Sequence, residues 1–296
     1  MTVTLKNELL TVEIEDTGAQ LACIRDKNGT NYLWPGNPKV WPRRAPLLFP
    51  FVGRLREGRY VLEGQTYTAS IHGFCRDALF SASQKGPSEA SFRLEDSPET
   101  REAYPFAFAL TVTYRLEGNR LTKSHRVENR DVRRMYYELG GHDGYRVPLS
   151  PGEALEEYAV RLPGLAEICP YGMDEAGILT PKGRVFPLEN GRISLTPAVY
   201  GLDTVILDRL PCRRAVLADG RDRPRITVEF EDFPCLGIWR ADKPGADYIC
   251  IEPWTSLPDA HFAGRALPEK IGVRALEPGQ EETLSFSTVF HTDFDQ

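Results

Sequence analysis

Phe108-Ala109-Leu110-Thr111-Val112-Thr113-Tyr114-Arg115-Leu116-Glu117-Gly118-Asn119 decides the fold class. Its apolar residues fall on every second position from Phe108 to Leu116. That period puts one face of a strand on a core and the other toward solvent. Glu117-Gly118-Asn119 then supplies turn chemistry, and Leu121 to Val127 resumes as the returning strand of a hairpin. On that strand His125 shares the parity of Leu121 and Val127, which predicts a core or sheet histidine.

The same alternation recurs in Leu10-Thr11-Val12-Glu13-Ile14-Glu15, in Ile226, Val228 and Phe230, and in Leu284, Phe286 and Phe290. Glu63-Gly64 divides Tyr60-Val61-Leu62 from Thr66-Tyr67-Thr68 as a second hairpin. Helical periodicity is confined to Pro98–Ala103, with Ser97 as N-cap and Tyr104-Pro105 as the stop. Twenty-five glycines and 23 prolines are spread along the chain. Many short strands joined by turns predict an all-β protein, an antiparallel sandwich with few short helices. The proline-rich stretch Trp34 to Pro46 reads as loop.

The 296 residues are expected to form a single domain, as large β-sandwiches often do. No apolar run approaches the roughly 20 residues needed to span a bilayer. The first residues carry no export signal, so the expected location is cytoplasmic. A net charge of −6 argues against nucleic acid as a partner. The six cysteines form no Cys-x-x-Cys pair and read as reduced structural thiols. No phosphate loop, zinc motif, calcium loop or Gly-x-Ser-x-Gly elbow is present.

Reactive residues gather in three phrases. In Tyr248-Ile249-Cys250-Ile251-Glu252-Pro253-Trp254, Glu252 ends a strand that Pro253 cannot continue. Beside Pro253 and Trp254 its carboxylate is expected to be partly desolvated, with a raised pKa suited to a general base. The alternative is a strand-end glutamate paired with an arginine. In Gly140-Gly141-His142-Asp143-Gly144, the glycines predict unusual backbone and close ligand approach around His142; a loop histidine bonded to a carbonyl is the other reading. His72 precedes Gly73-Phe74 and is either a donor to a substrate oxygen or a structural turn residue. After Pro50-Phe51-Val52-Gly53, Arg54 is expected to have a held guanidinium, suited to vicinal hydroxyls or a carboxylate. Arg56, Arg59 and Arg76 read as solvated residues or as phosphate ligands.

Taken in order, these phrases resemble the aldose 1-epimerase (galactose mutarotase-like) family, nearest its bacterial LacX-like branch. The resemblance begins at Asp16-Thr17-Gly18-Ala19-Gln20-Leu21 and Tyr32-Leu33-Trp34. It continues through Ala45-Pro46-Leu47-Leu48-Phe49-Pro50, Gly53-Arg54 and His72-Gly73-Phe74-Cys75-Arg76-Asp77. Gly237-Ile238-Trp239 and Cys250-Ile251-Glu252-Pro253-Trp254 close it, so it covers nearly the whole chain.

The resemblance implies a β-supersandwich and cofactor-independent interconversion of sugar anomers. It assigns Glu252 as base, His142 as acid, His72 as a second histidine near the ring oxygen, Arg54 to hydroxyls and Asp203 to sugar binding. Trp254, Trp239 or Trp41 could offer an aromatic face to a pyranose. The expected partner is a monosaccharide or sugar phosphate, with no metal, no cofactor and no membrane; a homodimer is an open expectation. The familiar mutarotases carry an asparagine–histidine–proline phrase where Gly141-His142-Asp143 stands here, and paired glycines where Gly73-Phe74 stands. The hydroxyl-reading shell therefore differs and specificity stays open. A non-catalytic sugar-binding protein is the rival reading. A hydrolase or lyase is disfavoured, since no convincing second carboxylate accompanies Glu252 in sequence.

Overall fold

The computed structural model describes residues 1–292. The hairpin forms as its alternation dictates. Strands Phe108–Glu117 and Arg120–Asn129 pair from Glu117–Arg120 to Phe108–Asn129. They lie inside a nine-stranded antiparallel sheet, between Glu89–Glu95 on one side and Glu281–Phe290 on the other. Leu110, Val112, Tyr114 and Leu116 bury their side chains, as do Leu121 and Val127.

A second sheet of six strands packs on this one. Its order runs Thr204–Asp208, Cys235–Trp239, Tyr248–Trp254, Gly140–Gly141 and Leu47–Leu48, with Asp143–Arg146 also paired to Tyr248–Trp254. Leu236, Ile238, Ile249 and Ile251 point into the shared core. Tyr145 crosses it to share a 3.0 Å hydrogen bond with Thr288. Thr2–Lys6, Leu10–Glu15 and Leu21–Asp26 form a three-stranded sheet of their own. The fold is the all-β supersandwich expected.

The single α-helix among the described residues is Pro98–Ala103. Ser97 and Thr100 cap its start reciprocally: Ser97 N–H donates to Thr100 Oγ1 at 2.8 Å, and Thr100 N–H to Ser97 Oγ at 3.3 Å. No helix among the described residues is long and apolar enough to cross a membrane.

Two local expectations fail. Pro253 does not end its strand, because pairing continues through Leu236–Pro253 and Cys235–Trp254. A proline fits a ladder where its missing N–H is not called upon. The strand Pro224–Glu229 has no solvated face; Arg225 and Thr227 are buried alongside Ile226 and Val228. Arg225 is tied there to Asp219 and to Ser150 Oγ, which makes its burial tolerable.

His125 is a core histidine. It is fully buried, stacks on Phe286 and sets Nδ1 3.3 Å from the Leu284 carbonyl. Burial, aided by the nearby Lys123 charge, holds its pKa down at about 3. The unfolded chain protonates this ring near its ordinary value, so folding stability falls as pH drops from about 6.5 toward 3. Between pH 7 and 5 one such histidine contributes a loss of about 2 kcal/mol. Urea unfolding at both pH values should show that difference shrinking by this amount in His125→Phe; an unchanged difference would mean that the ring titrates normally in the fold.

Candidate active site

The site grows from one strand register. Gly140 pairs with Trp254, and Asp143 with Ile251. The unbroken count between them sets His142 directly opposite Glu252, and cross-strand neighbours share a face. His142 Nε2 lies 3.3 Å from Glu252 Oε2. Both are buried, at 7% and 1% exposure. His142 is thus on an interrupted strand and not in an open loop.

The glycines around it serve a different purpose from the one expected. Gly140, Gly141 and Gly144 have no left-handed φ. A Cβ on Gly140 would lie 2.6 Å from the Trp254 indole, on Gly141 2.5 Å from the Phe286 ring, and on Gly144 2.7 Å from Trp41. Gly237, opposite Glu252 on its other side, would meet Trp254 at 2.5 Å. The glycines make room for the protein's own aromatic rings, not for a ligand.

Above this floor is a cavity of about 280 Å³. Trp41 stacks on the His142 ring at 5.2 Å, and Trp239 meets it edge-on at 5.7 Å. His72 stands perpendicular to His142, with ring centroids 5.4 Å apart. Its Nδ1 accepts the Gly53 N–H at 3.0 Å, and its backbone N–H donates to the Gly53 carbonyl at 2.9 Å. His72 has a φ of +64°, an unusual conformation for a non-glycine residue. The tight return into Gly73, whose own φ is +72°, sustains it.

Burial sets the titration of the floor. It pushes Glu252 well above its ordinary value, against a pull from the Trp254 indole and with a further rise from Asp143 and Asp203. Burial also holds His142 down at about 3; its own carbonyl opposes this, while Arg76 and Arg43 add to it. His72 is held well below its usual range by burial, then by His142 and the charges of Arg76, Arg54 and Arg43.

The aldose 1-epimerase family matches residues 1–288. The chromosomal LacX protein of Lactococcus lactis subsp. lactis is 32% identical, over 94% of this chain and 95% of that protein. The crystal structure of a galactose mutarotase related enzyme from Lactobacillus acidophilus superposes with a TM-score of 0.93 at 30% identity, covering 100% and 99% of the two chains. A galactose mutarotase-like protein from Lactobacillus casei gives 0.88, also at 30% identity, over 98% and 100%. This chain belongs to the aldose 1-epimerase family.

Every site residue expected from the sequence of this aldose 1-epimerase family member lines the one cavity: Glu252, His142, His72, Arg54, Asp203 and Trp254. Asp203 sits exposed at its edge, accepting from the Thr204 hydroxyl at 3.1 Å. Trp254 is wall and core together, 3% exposed and packed among apolar side chains. Arg54 differs from expectation in being exposed; its Cδ and Nε lie against Gly177. Arg56 is no phosphate ligand, since Asp259 Oδ2 and the carbonyls of Ala263 and Gly264 occupy its guanidinium.

Arg43 and Arg76 line the cavity instead. Arg43 reaches Asp77 Oδ1 at 2.8 Å. Arg76 lies 3.6 Å from Asp77, and its buried Nε has no acceptor among the described residues. Arg43 was hidden in the proline-rich loop. Lys123, buried 2.7 Å from Asp143 behind His142, was also overlooked. Its signal was available, because Lys123 has the parity of Leu121 and His125. His142, Cys250 and Glu252 each bring one donor atom within 4.8 Å of the others, a set able to hold a divalent ion. Burial keeps the Cys250 thiol far above its usual pKa, which opposes such binding.

The glycine vacancies make a sharp prediction. Gly237→Ala should displace Trp254 and destabilise the protein by about 1–3 kcal/mol, the usual cost of overpacking. Urea unfolding measures the loss, and a shifted tryptophan emission would report the moved indole.

Proposed function

We propose that the protein is a cofactor-independent aldose 1-epimerase, with Glu252 and His142 moving the protons. The observation that carries this reading is their 3.3 Å approach on the floor of a monosaccharide-sized cavity. Glu252 removes the proton from the anomeric hydroxyl, and His142 delivers one to the ring oxygen. The C1–O5 bond breaks, its electron pair goes to O5, and C1 becomes an aldehyde carbon. Rotation about C1–C2 turns the other carbonyl face to O5. Closure returns both protons by the same route.

Ring closure is ring opening in reverse, so each group acts as acid and base in turn. One proton on either member leaves the buried pair without net charge. Burial raises Glu252 and lowers His142, so the uncharged arrangement, with the proton on Glu252, is favoured at rest. The ion pair is its tautomer, reached by moving one proton. A pair poised this way suits a reaction that runs equally in both directions.

Three guanidiniums favour a second, narrower reading: a substrate with an anionic group, such as a sugar phosphate or sugar acid. Arg43, Arg54 and Arg76 line the cavity, and Asp77 pairs with only the first and last. Arginine forks match phosphate and carboxylate oxygens.

Glu252→Gln should slow anomer exchange by about 10²–10⁴-fold, the range for losing a positioned acid–base group. NMR of freshly dissolved sugar follows the exchange, and wild-type speed in this variant removes Glu252 from the role. Sugar binding by calorimetry without any acceleration would favour the non-catalytic reading.

The pH profile is a second check. His142 gains a further proton only near pH 3, so the acid limb of kcat/KM should lie far below 6.5. The alkaline limb follows loss of the raised Glu252 proton. An acid midpoint near 6.5 would mean a solvated imidazole.

α-D-glucose, its 6-phosphate and glucuronate separate the substrate classes. Arg76→Gln should raise KM about tenfold for the preferred anion, one charge-assisted contact, and leave glucose little changed.

A further inference from the structure

Glu138 and Lys270 form a buried pair that the proton transfer does not use. Glu138 is fully enclosed and Lys270 nearly so, with Oε1 and Nζ 3.3 Å apart. Burying two charges is costly and rarely repaid in stability alone. Glu138 lies four residues before His142, and its other oxygen reaches the segment that follows Leu47–Leu48. Oε2 accepts the Val52 N–H at 2.8 Å, and the Glu138 N–H donates to the Pro50 carbonyl at 2.9 Å. The segment from Pro50 to Val52 is thus gripped from both sides. The next amide, Gly53 N–H, is the one that donates to His72 Nδ1.

That bond has a chemical consequence. A backbone N–H can only donate, so His72 Nδ1 must carry a lone pair and the ring proton must sit on Nε2. We propose that Glu138, neutralised by Lys270, is a positioning residue that fixes His72 as its Nε2–H tautomer, and that His72 serves as a permanent neutral donor to a sugar oxygen. His72 then orients the ring and polarises the oxygen that His142 protonates, without exchanging a proton itself. This role rests on the epimerase reading, but the tautomer does not.

Long-range 1H–15N correlation of the histidine rings tests the tautomer without substrate. In the wild type, His72 should show Nε2–H only, unchanged from pH 5 to 9. A ring that titrates in this range, or carries its proton on Nδ1, overturns the proposal whatever the enzyme's activity. Glu138→Leu should give mixed tautomers at His72 and lower kcat about tenfold with KM little changed, followed on α-D-glucose and its 6-phosphate. Glu138→Gln with Lys270→Met keeps an acceptor for Val52 and removes both charges. It should retain the tautomer and lie within threefold of wild-type kcat, which also guards against a Glu138→Leu variant that fails to fold. A folded Glu138→Leu with the wild-type tautomer and kcat removes Glu138 from this role. No exchange on any aldose, with the tautomer as stated, would instead count against the epimerase reading.

Discussion

The antiparallel register that sets His142 opposite Glu252 is the constraint on which the site depends. A slip of one residue in either strand would turn its member of the pair to the other face of the sheet and part the two. Several contacts resist such a slip. The Trp254 indole fits over Gly140 and Gly237, so only this register gives it space on both sides. Beyond it, Thr255 N–H donates to the Leu139 carbonyl and Leu139 N–H to Thr255 Oγ1, both at 2.9 Å. At the other end Trp34 N–H meets the Gly144 carbonyl, and Gly144 N–H meets that of Arg44. The His142–Glu252 pair is therefore held by backbone geometry.

Behind that face, the two sheets are joined by a buried ion pair. Lys123 rises from the nine-stranded sheet to Asp143, the residue after His142, at 2.7 Å. Its ammonium also lies 5.0 Å from the Phe286 ring centre. Removing either partner would strand a buried charge, at a typical cost of about 3–5 kcal/mol. Asp143 helps raise the Glu252 pKa, yet burial is the larger cause. The ammonium limits how far the Asp143 charge is felt, leaving desolvation to poise the pair.

The hairpin, the short helix with its Ser97 cap, and the candidate acids and bases were legible because each rests on local chemistry. Parity told which way a side chain points; Phe108 to Leu116 and His125 follow it. Pairing partners were not legible, since nothing in Gly140 to Gly144 says that Tyr248–Trp254 lies beside it. For the same reason the glycines were misread: their vacancies are filled by Trp41, Trp254 and Phe286, all distant in sequence. Arg56 and Arg43 exchanged places because an arginine's role depends on the carboxylates and carbonyls it meets, and loops bring those together. Lys123 shares the parity of Leu121 and His125, so the strand pattern alone puts it in the core.

The rim and the floor of the cavity are coupled through charge. Burial is the main cause that depresses His142 and His72; Arg76 and Arg43 add to it at His142, and together with Arg54 at His72. The rim cations therefore act on the imidazoles. A neutral sugar leaves this potential in place. An anion bound among the guanidiniums cancels part of the potential and makes His142 more basic. Burial remains the larger cause of the low His142 pKa, so the anion offsets only the smaller part of that depression. His72 does not follow, because the Gly53 amide occupies its second nitrogen and forbids a second proton without breaking that bond. The two imidazoles thus differ in the protonation open to them by one backbone hydrogen bond.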